Sequence, residues 1–389
     1  SYTALGIIMA RSGRQFTAGR DDDGRRLERV LRKLFPEVPR SALNKALRKG
    51  DVRIDGVKVK ADHRLTAGEQ VEIRASFAPE AKPPRQRASA PAGGATPRAR
   101  ATPRARAQGG GFNAGSAGSA GASVEVLYRD EDLIAINKEA GISVHGERSL
   151  TGQVRALLAG TAQPSLSFRP GPLHRLDKGT TGVIVYSVSL EGARRFSQAM
   201  RERRIRKIYL ALLRGSLPSP ARWLDLLEQE GKGREAELSV VPIIRVEGAT
   251  IAACMPKTGR THQIRRQAAL RGYPLVGDHA YQGDHSGRSL PGGYILHALS
   301  LSAERDEQLG FATILAPLPE ATANRLASWV TSSRPVEPAL PESGATAELA
   351  RRLSRPVERL TEEPEAAPFL LATIAAQLHD HRSVLHDAV

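Results

Sequence analysis

Cysteine is almost absent from this chain of 389 residues, in which Cys254 is the only one. A single thiol excludes intramolecular disulfides and any metal site built from several cysteines. We interpret Cys254 as a small apolar strand residue. A lone cysteine fits the reducing conditions of the cytoplasm, where we expect the protein to act.

Long apolar runs are also missing, because none approaches the roughly 20 residues that a membrane-spanning helix requires. Residues 1–14 lack the basic flank, apolar core and cleavage site of a signal peptide. Carboxylates and histidines do not occur at the spacing of metal ligands. We therefore expect no membrane partner and no bound metal. We also expect a monomer.

Acidic residues are outnumbered by basic ones. Lys and Arg total 57 against 41 Asp and Glu, which gives a net charge of +16 and a pI near 10.4. A balance this basic indicates a polyanionic partner, with nucleic acid ahead of a membrane surface. The length suggests two or three domains.

Residues 1–75 have the pattern of a small independent module. The spacing predicts a helix over 25–35, and a second helix that Ser41 caps and Gly50 ends. Two alternating runs at 52–59 surround Asp-Gly, which is a strong hairpin signal. One more strand is predicted within 65–74, with Val71 and Ile73 facing inward.

The second helix and the start of the hairpin carry a set of cations. With the junction ALRKGDVRIDGVKVK, this order of elements over 16–75 resembles the RNA-binding module of the small-subunit ribosomal protein S-four type. The resemblance implies that this face contacts folded RNA, where long cations would bind phosphates without reading sequence. The alternative is a solvated basic helix face. The cations are Arg40, Lys45, Arg48, Lys49 and Arg53.

Composition changes sharply over 76–122, which is dominated by Ala, Pro, Arg and Gly. The hexapeptide ATPRAR at 95–100 is repeated at 101–106. Such a segment cannot bury enough surface to offset its ordering entropy, so we expect a disordered linker. A linker of this kind would raise the effective concentration of one module near the target of the other.

Short strands with few interleaved helices follow over 123–330. They predict an α+β domain around a mixed, largely antiparallel sheet. The strands are expected at 124–128, 133–138, 183–188, 208–213, 238–246, 250–255 and 294–301, and the helices at 150–158, 191–202 and, after a glycine turn, within 258–270. Residues 331–389 form a C-terminal extension in which helices are expected at 347–360 and 368–379.

The most informative stretch is HRLDKGTTG at 174–182, which runs straight into the apolar residues VIVYS. This pattern places Arg175 and Asp177 on a loop at the entrance of a buried strand. Loops held by a rigid sheet often carry catalytic groups. The nonapeptide by itself fits a polar connector equally well.

Three further stretches accompany this loop: INKEAGISVHG at 136–146, RKIYLALLRG at 206–215 and TGRTHQIRRQAALRGYPLVGDHAY at 258–281. Together, and with the weaker LHALSL at 296–301, they resemble the RluA-type pseudouridine synthases across 123–330. The resemblance implies isomerisation of specific uridines to pseudouridine in structured RNA, without a cofactor. Thr181, Glu139 and Gln267 replace the more usual Ser, Pro and His.

The resemblance also implies roles for individual residues. Asp177 would act at the glycosidic bond, and Arg265 would keep it ionised. Tyr209 would stack on the uracil and take the last proton from carbon 5. Arg175 would enter the RNA helix as the target base is flipped out, while Lys207 and Arg260 would support RNA binding.

Several alternatives stay open at this point. Asp177 could attack the sugar carbon, attack the pyrimidine ring or help to expel a glycal. His174 and His262 are interpreted as structural or RNA-contacting groups. Large-subunit ribosomal RNA is the expected target, because the N-terminal module implies a large folded substrate, and transfer RNA is the alternative.

Two other functions are weaker. A non-catalytic RNA-binding or ribosome-assembly factor on the same fold is disfavoured by the intact set of Asp177, Tyr209 and Arg265. A glycosidase-like hydrolase would need a second carboxylate near the loop, and the sequence offers no convincing one.

Overall fold

The computed structural model describes residues 8–10, 13–74, 124–146, 149–160, 165–229, 231–281, 293–303, 306–331 and 335–336. The linker expected over 76–122 and the helices expected at 347–360 and 368–379 lie outside these ranges. Within them, the chain forms one small sheet near its N-terminus and one large sheet after it.

The N-terminal part packs two helices against a five-stranded antiparallel sheet with the strand order β1-β2-β5-β3-β4. Its core contains the predicted apolar face of the first helix, where Leu27, Val30 and Leu31 are fully buried. Its elements are β1 (Ile8–Ala10), β2 (Gly13–Thr17), α1 (Leu27–Leu34), α2 (Arg40–Lys49), β3 (Val52–Ile54), β4 (Val57–Lys58) and β5 (Gln70–Arg74).

The local turn chemistry of this part agrees with the sequence. Gly50 ends α2 with φ +79, and the hairpin turn has positive φ at both Asp55 and Gly56, as a tight two-residue hairpin requires. The predicted cap at Ser41 is wrong. The helix begins at Arg40 and its N-cap is Pro39, which makes no side-chain capping bond.

The larger part contains all ten predicted elements with the predicted type, and five further ones that the sequence did not reveal. Its elements are β6 (Glu125–Arg129), β7 (Leu133–Lys138), α3 (Leu150–Leu158), β8 (Gly171–Pro172), β9 (Thr181–Ser187), α4 (Leu190–Arg201), β10 (Arg206–Arg214), β11 (Ala221–Gln229), β12 (Lys232–Val246), β13 (Ala249–Pro256), α5 (Gln263–Leu270), β14 (Leu296–Ser302), β15 (Thr313–Leu315), α6 (Glu320–Thr331) and β16 (Pro335–Val336).

These strands form a mixed sheet with the path β11-β12-β13-β10-β14-β9-β7-β6, to which β8, β15 and β16 pair at the side. Among the described strands, β14 and β9 pair in parallel and the other pairs are antiparallel. The predicted α+β class with a largely antiparallel sheet is therefore confirmed. Across β14, Thr181 and Gly182 at the start of β9 are in register with Leu210 and Tyr209, so the loop before β9 lies near the middle of β10.

The segment 258–270 begins with a turn, as expected, and becomes helical at Gln263. β11 was not predicted, because Leu224 and Leu226 on its outer face are 60% and 73% exposed and hide the alternation of polar and apolar residues.

Gly182 lets β9 approach β14 closely. It pairs with Ala298 and has φ +104, and a Cβ built on it would lie 2.2 Å from the Ala298 carbonyl oxygen. Neither the backbone conformation nor the space admits a side chain. Gly182 therefore fixes the strand directly behind the loop that carries Asp177.

We expect Gly182→Ala to lower the free energy of unfolding by about 3 kcal/mol or more, since a left-handed alanine costs roughly 1 kcal/mol and overpacking adds ~1–3 kcal/mol. Chemical denaturation measures this loss. Gly248→Ala is the matched control, because Gly248 also has a positive φ (+78) but has open space around its α-carbon. Equal losses in the two variants would show that the approach of β9 to β14 is not close.

Candidate active site

The loop from Arg175 to Thr180 leads from β8 into β9. Its turn is closed by a hydrogen bond from the Thr180 N–H to the Asp177 carbonyl oxygen, at 3.0 Å. Leu176 is 7% exposed and packs into the core, and Arg175, Leu176 and Asp177 all contribute to the wall of one cavity.

Two cationic or potentially cationic groups approach the Asp177 carboxylate, whose side chain is 15% exposed. Arg265 Nη1 lies 3.5 Å from Asp177 Oδ2, so the structure brings together the pair that the resemblance implied. His262 Nε2 lies 3.6 Å from Asp177 Oδ1. The sequence did not place His262 beside the carboxylate, because its approach depends on the left-handed conformation, φ +53, with which it begins α5.

Arg265 is held by a second carboxylate. Its Nε and Nη2 donate to the two oxygens of Asp278 at 2.7 and 2.8 Å, and Asp278 is 1% exposed. The guanidinium also lies over the rings of Tyr294 and Tyr281, at 4.4 and 4.9 Å from their centroids. Burial is the largest single influence and lowers the pKa of Arg265, but the hydrogen bonds to Asp278 and the nearby charges of Tyr294, Asp278 and Asp177 together outweigh it, and the pKa rises above its ordinary value.

Asp278, Tyr281 and Tyr294 were missed as site residues. The first two stand in the quoted stretch that ends VGDHAY, so the signal was present, but nothing local shows that they hold Arg265. Tyr281 also contacts His262, whose Nδ1 lies 2.9 Å from the tyrosine hydroxyl. This group of side chains supports both Arg265 and His262 beside Asp177.

Tyr209 lies in β10, next to a bulge at which the pairing of β10 with β14 shifts. Bulges of this kind redirect side chains and are frequent near active sites. The ring lines the same cavity as Asp177. Burial, followed by the negative charge of Asp177, raises the pKa of the Tyr209 hydroxyl above its ordinary value, so the phenol keeps its proton.

Lys138, at the end of β7, is a buried lysine that the sequence did not single out. Its ammonium donates to the carbonyl oxygens of Glu139, Lys178 and Thr180, at 2.9, 3.0 and 2.7 Å. Burial lowers its pKa to about 8, although the charge of Asp177 acts in the opposite direction. The three bonds hold both sides of the turn that follows Asp177.

The C-terminal end of the loop is fixed by a buried histidine on β14. The Ala316 carbonyl can only accept, so His297 Nε2 donates to it at 3.0 Å. His297 Nδ1 then accepts from the hydroxyl of Thr181 at 2.8 Å. Thr181 therefore supplies the hydroxyl that serine would supply at this position.

His174 and Gln267 have structural contacts. The Val185 N–H donates to His174 Nε2 at 3.1 Å, and burial with the charge of Lys207 lowers the pKa of His174 to about 3. Gln267 is fully buried, and its amide donates to Asp225 and to the carbonyl oxygens of Trp223 and Ala236. It joins α5 to β11 and β12.

The cavity has a volume of about 280 Å³, and its wall includes Arg175, Asp177, Tyr209, His262 and Arg265. A basic groove of about 740 Å³ adjoins it and shares residues with its wall. The cations of this groove are Arg201, Arg203, Arg206, Lys207, Lys257 and Arg260. Of the predicted RNA contacts, Lys207 and Arg260 thus line both spaces, and Arg260 is braced by donating to the Glu235 carbonyl oxygen at 2.8 Å.

The five cations predicted on the N-terminal module have different surroundings. Lys45, Arg48 and Lys49 are exposed on α2. Arg40 pairs with Glu28 at 2.7 Å, and Arg53 braces the hairpin by donating to the carbonyl oxygens of Gly50 and Gly56. A groove of about 580 Å³ beside α2 adds two cations that the sequence interpretation left out, Lys58 and Lys60.

In the described part of the chain, no three His, Cys, Asp or Glu side chains converge as metal ligands would. The helices that the structure describes include none long and apolar enough to cross a membrane.

Comparison with known proteins gives two family matches. Residues 132–270 match the model of the RNA pseudouridylate synthase family, and residues 25–71 match the S4 domain. The chain is 29% identical over 277 residues to ribosomal large subunit pseudouridine synthase C of Escherichia coli strain K12, which covers 67% of this chain and 77% of that protein. The corresponding protein of Pasteurella multocida is 26% identical over 331 residues, 80% of this chain and 92% of that one.

Two solved human structures are also similar. RNA pseudouridylate synthase domain containing 4 is 22% identical, with a TM-score of 0.43, over 52% of this chain and 92% of that one. RNA pseudouridylate synthase domain containing 1 is 23% identical, with a TM-score of 0.44, over 59% and 93%.

The buried His297 makes stability depend on pH. Burial lowers its pKa to about 4, below the value of about 6.5 in an unfolded chain. The unfolded state therefore binds more protons between these values, so stability is fully present above pH ~6.5 and falls towards pH ~4, by up to ~3 kcal/mol.

We expect His297→Asn to flatten the fall in unfolding free energy between pH 6.5 and 4, measured by denaturant titration at each pH. His145→Asn, at an exposed loop position, is the control and should keep the slope of the unmodified protein. A His297→Asn variant with the unmodified slope would contradict the assignment of a neutral buried imidazole.

Proposed function

We propose that this chain, which belongs to the RNA pseudouridylate synthase family and carries an S4 domain, converts specific uridines of large-subunit ribosomal RNA to pseudouridine. The observation that supports this most is Asp177, a carboxylate on a sheet-anchored loop in a small cavity, 3.5 Å from the buried Arg265. Its curated relatives are named for the same reaction on large-subunit RNA.

The reaction breaks the bond from ribose C1′ to N1 of uracil and forms a bond from C1′ to C5 of the same base. N1 gains a proton and C5 loses one, so the step is redox-neutral and requires no cofactor. An ionised carboxylate can stabilise or attack the sugar carbon as the first bond breaks. Arg265 lies 3.5 Å from the Asp177 carboxylate and orients it, and Asp278 keeps Arg265 in place for this task.

Tyr209 is assigned to stacking on the uracil. Its ring lines the cavity beside Asp177, which suits packing against a planar base. A phenol whose pKa is raised holds its proton and is a weak base. The raised pKa therefore favours the stacking role over the second expected role, removal of the C5 proton.

Arg175 is assigned to base flipping. It is exposed at the cavity mouth while the residues on both sides of it are more buried. A uridine in a folded RNA must leave its stack to reach Asp177, at a cost of a few kcal/mol. A long cation at the mouth can occupy the vacated space and bind the flanking phosphates, which the adjoining basic groove would continue to hold.

Asp177→Asn should abolish pseudouridine formation, by about 1000-fold or more, because the neutral amide cannot act as the nucleophile or stabilise positive charge. Single-turnover assays on transcribed large-subunit RNA measure the rate, and filter binding should show unchanged RNA affinity. Glu247→Gln, in the exposed turn between β12 and β13, is the matched control. If the Asp177→Asn variant formed pseudouridine at the rate of the unmodified protein, the assignment of Asp177 as the catalytic carboxylate would be wrong.

The target is tested by mapping pseudouridines in cellular RNA with and without the gene. One or more pseudouridines in large-subunit ribosomal RNA should disappear without the gene and return with the unmodified gene, but not with Asp177→Asn. Loss of sites in transfer RNA alone would identify the alternative substrate. An unchanged map in all RNA would contradict the proposed function.

The basic face of the S4 domain should contribute salt-dependent affinity. Replacing Arg48 and Lys49 by alanine should lower the slope of log affinity against log salt by about 2, because each phosphate contact releases about one counterion. Arg29→Ala with Arg32→Ala, which removes two exposed cations from α1, is the control with equal charge. Equal slopes in the two double variants would mean that α2 does not face the RNA.

A further inference from the structure

Two buried carboxylates have no part in the site or in the basic face. Asp21 and Asp22 lie in a short 3-10 turn, Arg20–Asp22, that precedes α1. They are 8% and 0% exposed. Buried charges are costly unless several donors satisfy them, so their partners show what this turn is built for.

Four of the donors to Asp22 come from a distant segment, 165–167, which lies within the matched synthase region. The backbone N–H groups of Leu166 and Ser167 donate to its two oxygens at 2.7 and 3.1 Å. The hydroxyls of Ser167 and Ser165 donate at 2.6 and 3.2 Å. We name Asp22 together with Ser165, Leu166 and Ser167 the clasp.

The apolar member of the clasp is Leu166, which is 7% exposed. It comes from the synthase region but packs into the core of the S4 domain, among Phe35, Leu31 and their neighbours. A side chain from one part thus completes the interior of the other. Such a contact is lost entirely if the two parts separate.

Further contacts extend this interface in several directions. Asp21 accepts from the N–H of Leu190, the first residue of α4, at 2.9 Å, where a helix terminus favours negative charge. Arg25 donates to the Ser167 hydroxyl at 2.6 Å, and Lys33 to its carbonyl oxygen at 3.1 Å. These contacts extend from the 3-10 turn to the end of α1. They therefore restrict the rotation of the two parts relative to each other as well as their separation.

We infer that the clasp docks the S4 domain on the synthase domain in one orientation, and that this docking is a determinant of which uridine is modified. Contacts to phosphates carry no sequence information by themselves. If the distance between the phosphate-binding face of the S4 domain and Asp177 is fixed, a uridine reaches Asp177 only when it lies at the matching distance from the RNA feature that this face binds. This second half of the inference rests on the proposed function, whereas the docking itself does not.

The position of the clasp in the chain supports this role. Segment 165–167 precedes β8 by three residues, and β8 leads directly into the loop of Arg175 and Asp177. Leu190 begins α4, whose last residues Met200 and Arg201 line the cavity and the basic groove. The S4 domain therefore docks on the two elements that continue into the site.

Docking is tested on the full chain by backbone ¹⁵N relaxation, which gives separate rotational correlation times for the two domains. The unmodified protein should show one shared value. Asp22→Asn, which turns an amide donor towards the Leu166 and Ser167 N–H groups, should give the S4 domain a shorter value. Leu166→Asp should do the same from the other side without altering the S4 sequence.

The matched control is Asp23→Asn. Asp23 is exposed and accepts from the Ala67 N–H within the S4 domain, so its loss leaves the clasp intact. The docking half is overturned if the unmodified protein already shows two correlation times, or if both clasp variants keep the shared value.

Target choice is tested with two RNAs, deproteinised large-subunit RNA and a short stem-loop cut around the mapped uridine. The clasp variants should keep the rate of the unmodified protein on the stem-loop. On the large RNA they should lose about tenfold in the preference for the mapped uridine over other uridines, because a mobile connection lowers the effective concentration at the correct geometry.

The outcomes separate the two proposals. If the protein modified no RNA at all, the proposed function would be wrong. The relaxation data would still show whether the two domains dock. Clasp variants that undock but keep the full preference on the large RNA would overturn the role of docking in target choice.

Discussion

The bidentate contact between Arg265 and Asp278 is the interaction on which the site depends. It satisfies a buried guanidinium on one side and leaves the other side, Nη1, facing Asp177 at 3.5 Å. Without Asp278, a charged arginine in this position would lack its strongest hydrogen bonds and could turn away. Asp278 thus acts on Asp177 through Arg265, as an outer partner that orients the group in contact with the reacting carboxylate.

The sheet supplies the rest of the positioning. β9, β14 and β10 are neighbours, so the Asp177 loop, the His297 anchor and Tyr209 come from adjacent strands. Gly182 allows the close approach of β9, Lys138 holds the turn after Asp177, and the bulge in β10 lies directly before Tyr209. Rigid neighbouring strands hold these groups more accurately than mobile loops could.

Features that depend on nearby residues were predictable from the sequence. The helix over 25–35, the Asp-Gly hairpin and the buried strand after HRLDKGTTG follow from spacing and turn chemistry. The pairing of Asp177 with Arg265 came from the family resemblance. The contacts of Asp278, Tyr294, Lys138 and Asp22 could not be predicted, because they join residues across irregular segments, where periodicity carries no information. His262 was predicted to be structural or RNA-contacting, and only its left-handed backbone brings it to Asp177.

The most direct test of the central claim is the single-turnover rate of pseudouridine formation by Asp278→Asn, measured with the affinity for the same RNA. If Asp278 keeps Arg265 beside Asp177, the rate should fall by about 100-fold or more, a loss typical of a misplaced electrostatic partner. The affinity should stay within about threefold, a shift of less than ~1 kcal/mol, because Asp278 is buried away from RNA. An unchanged rate in a folded variant would contradict the account.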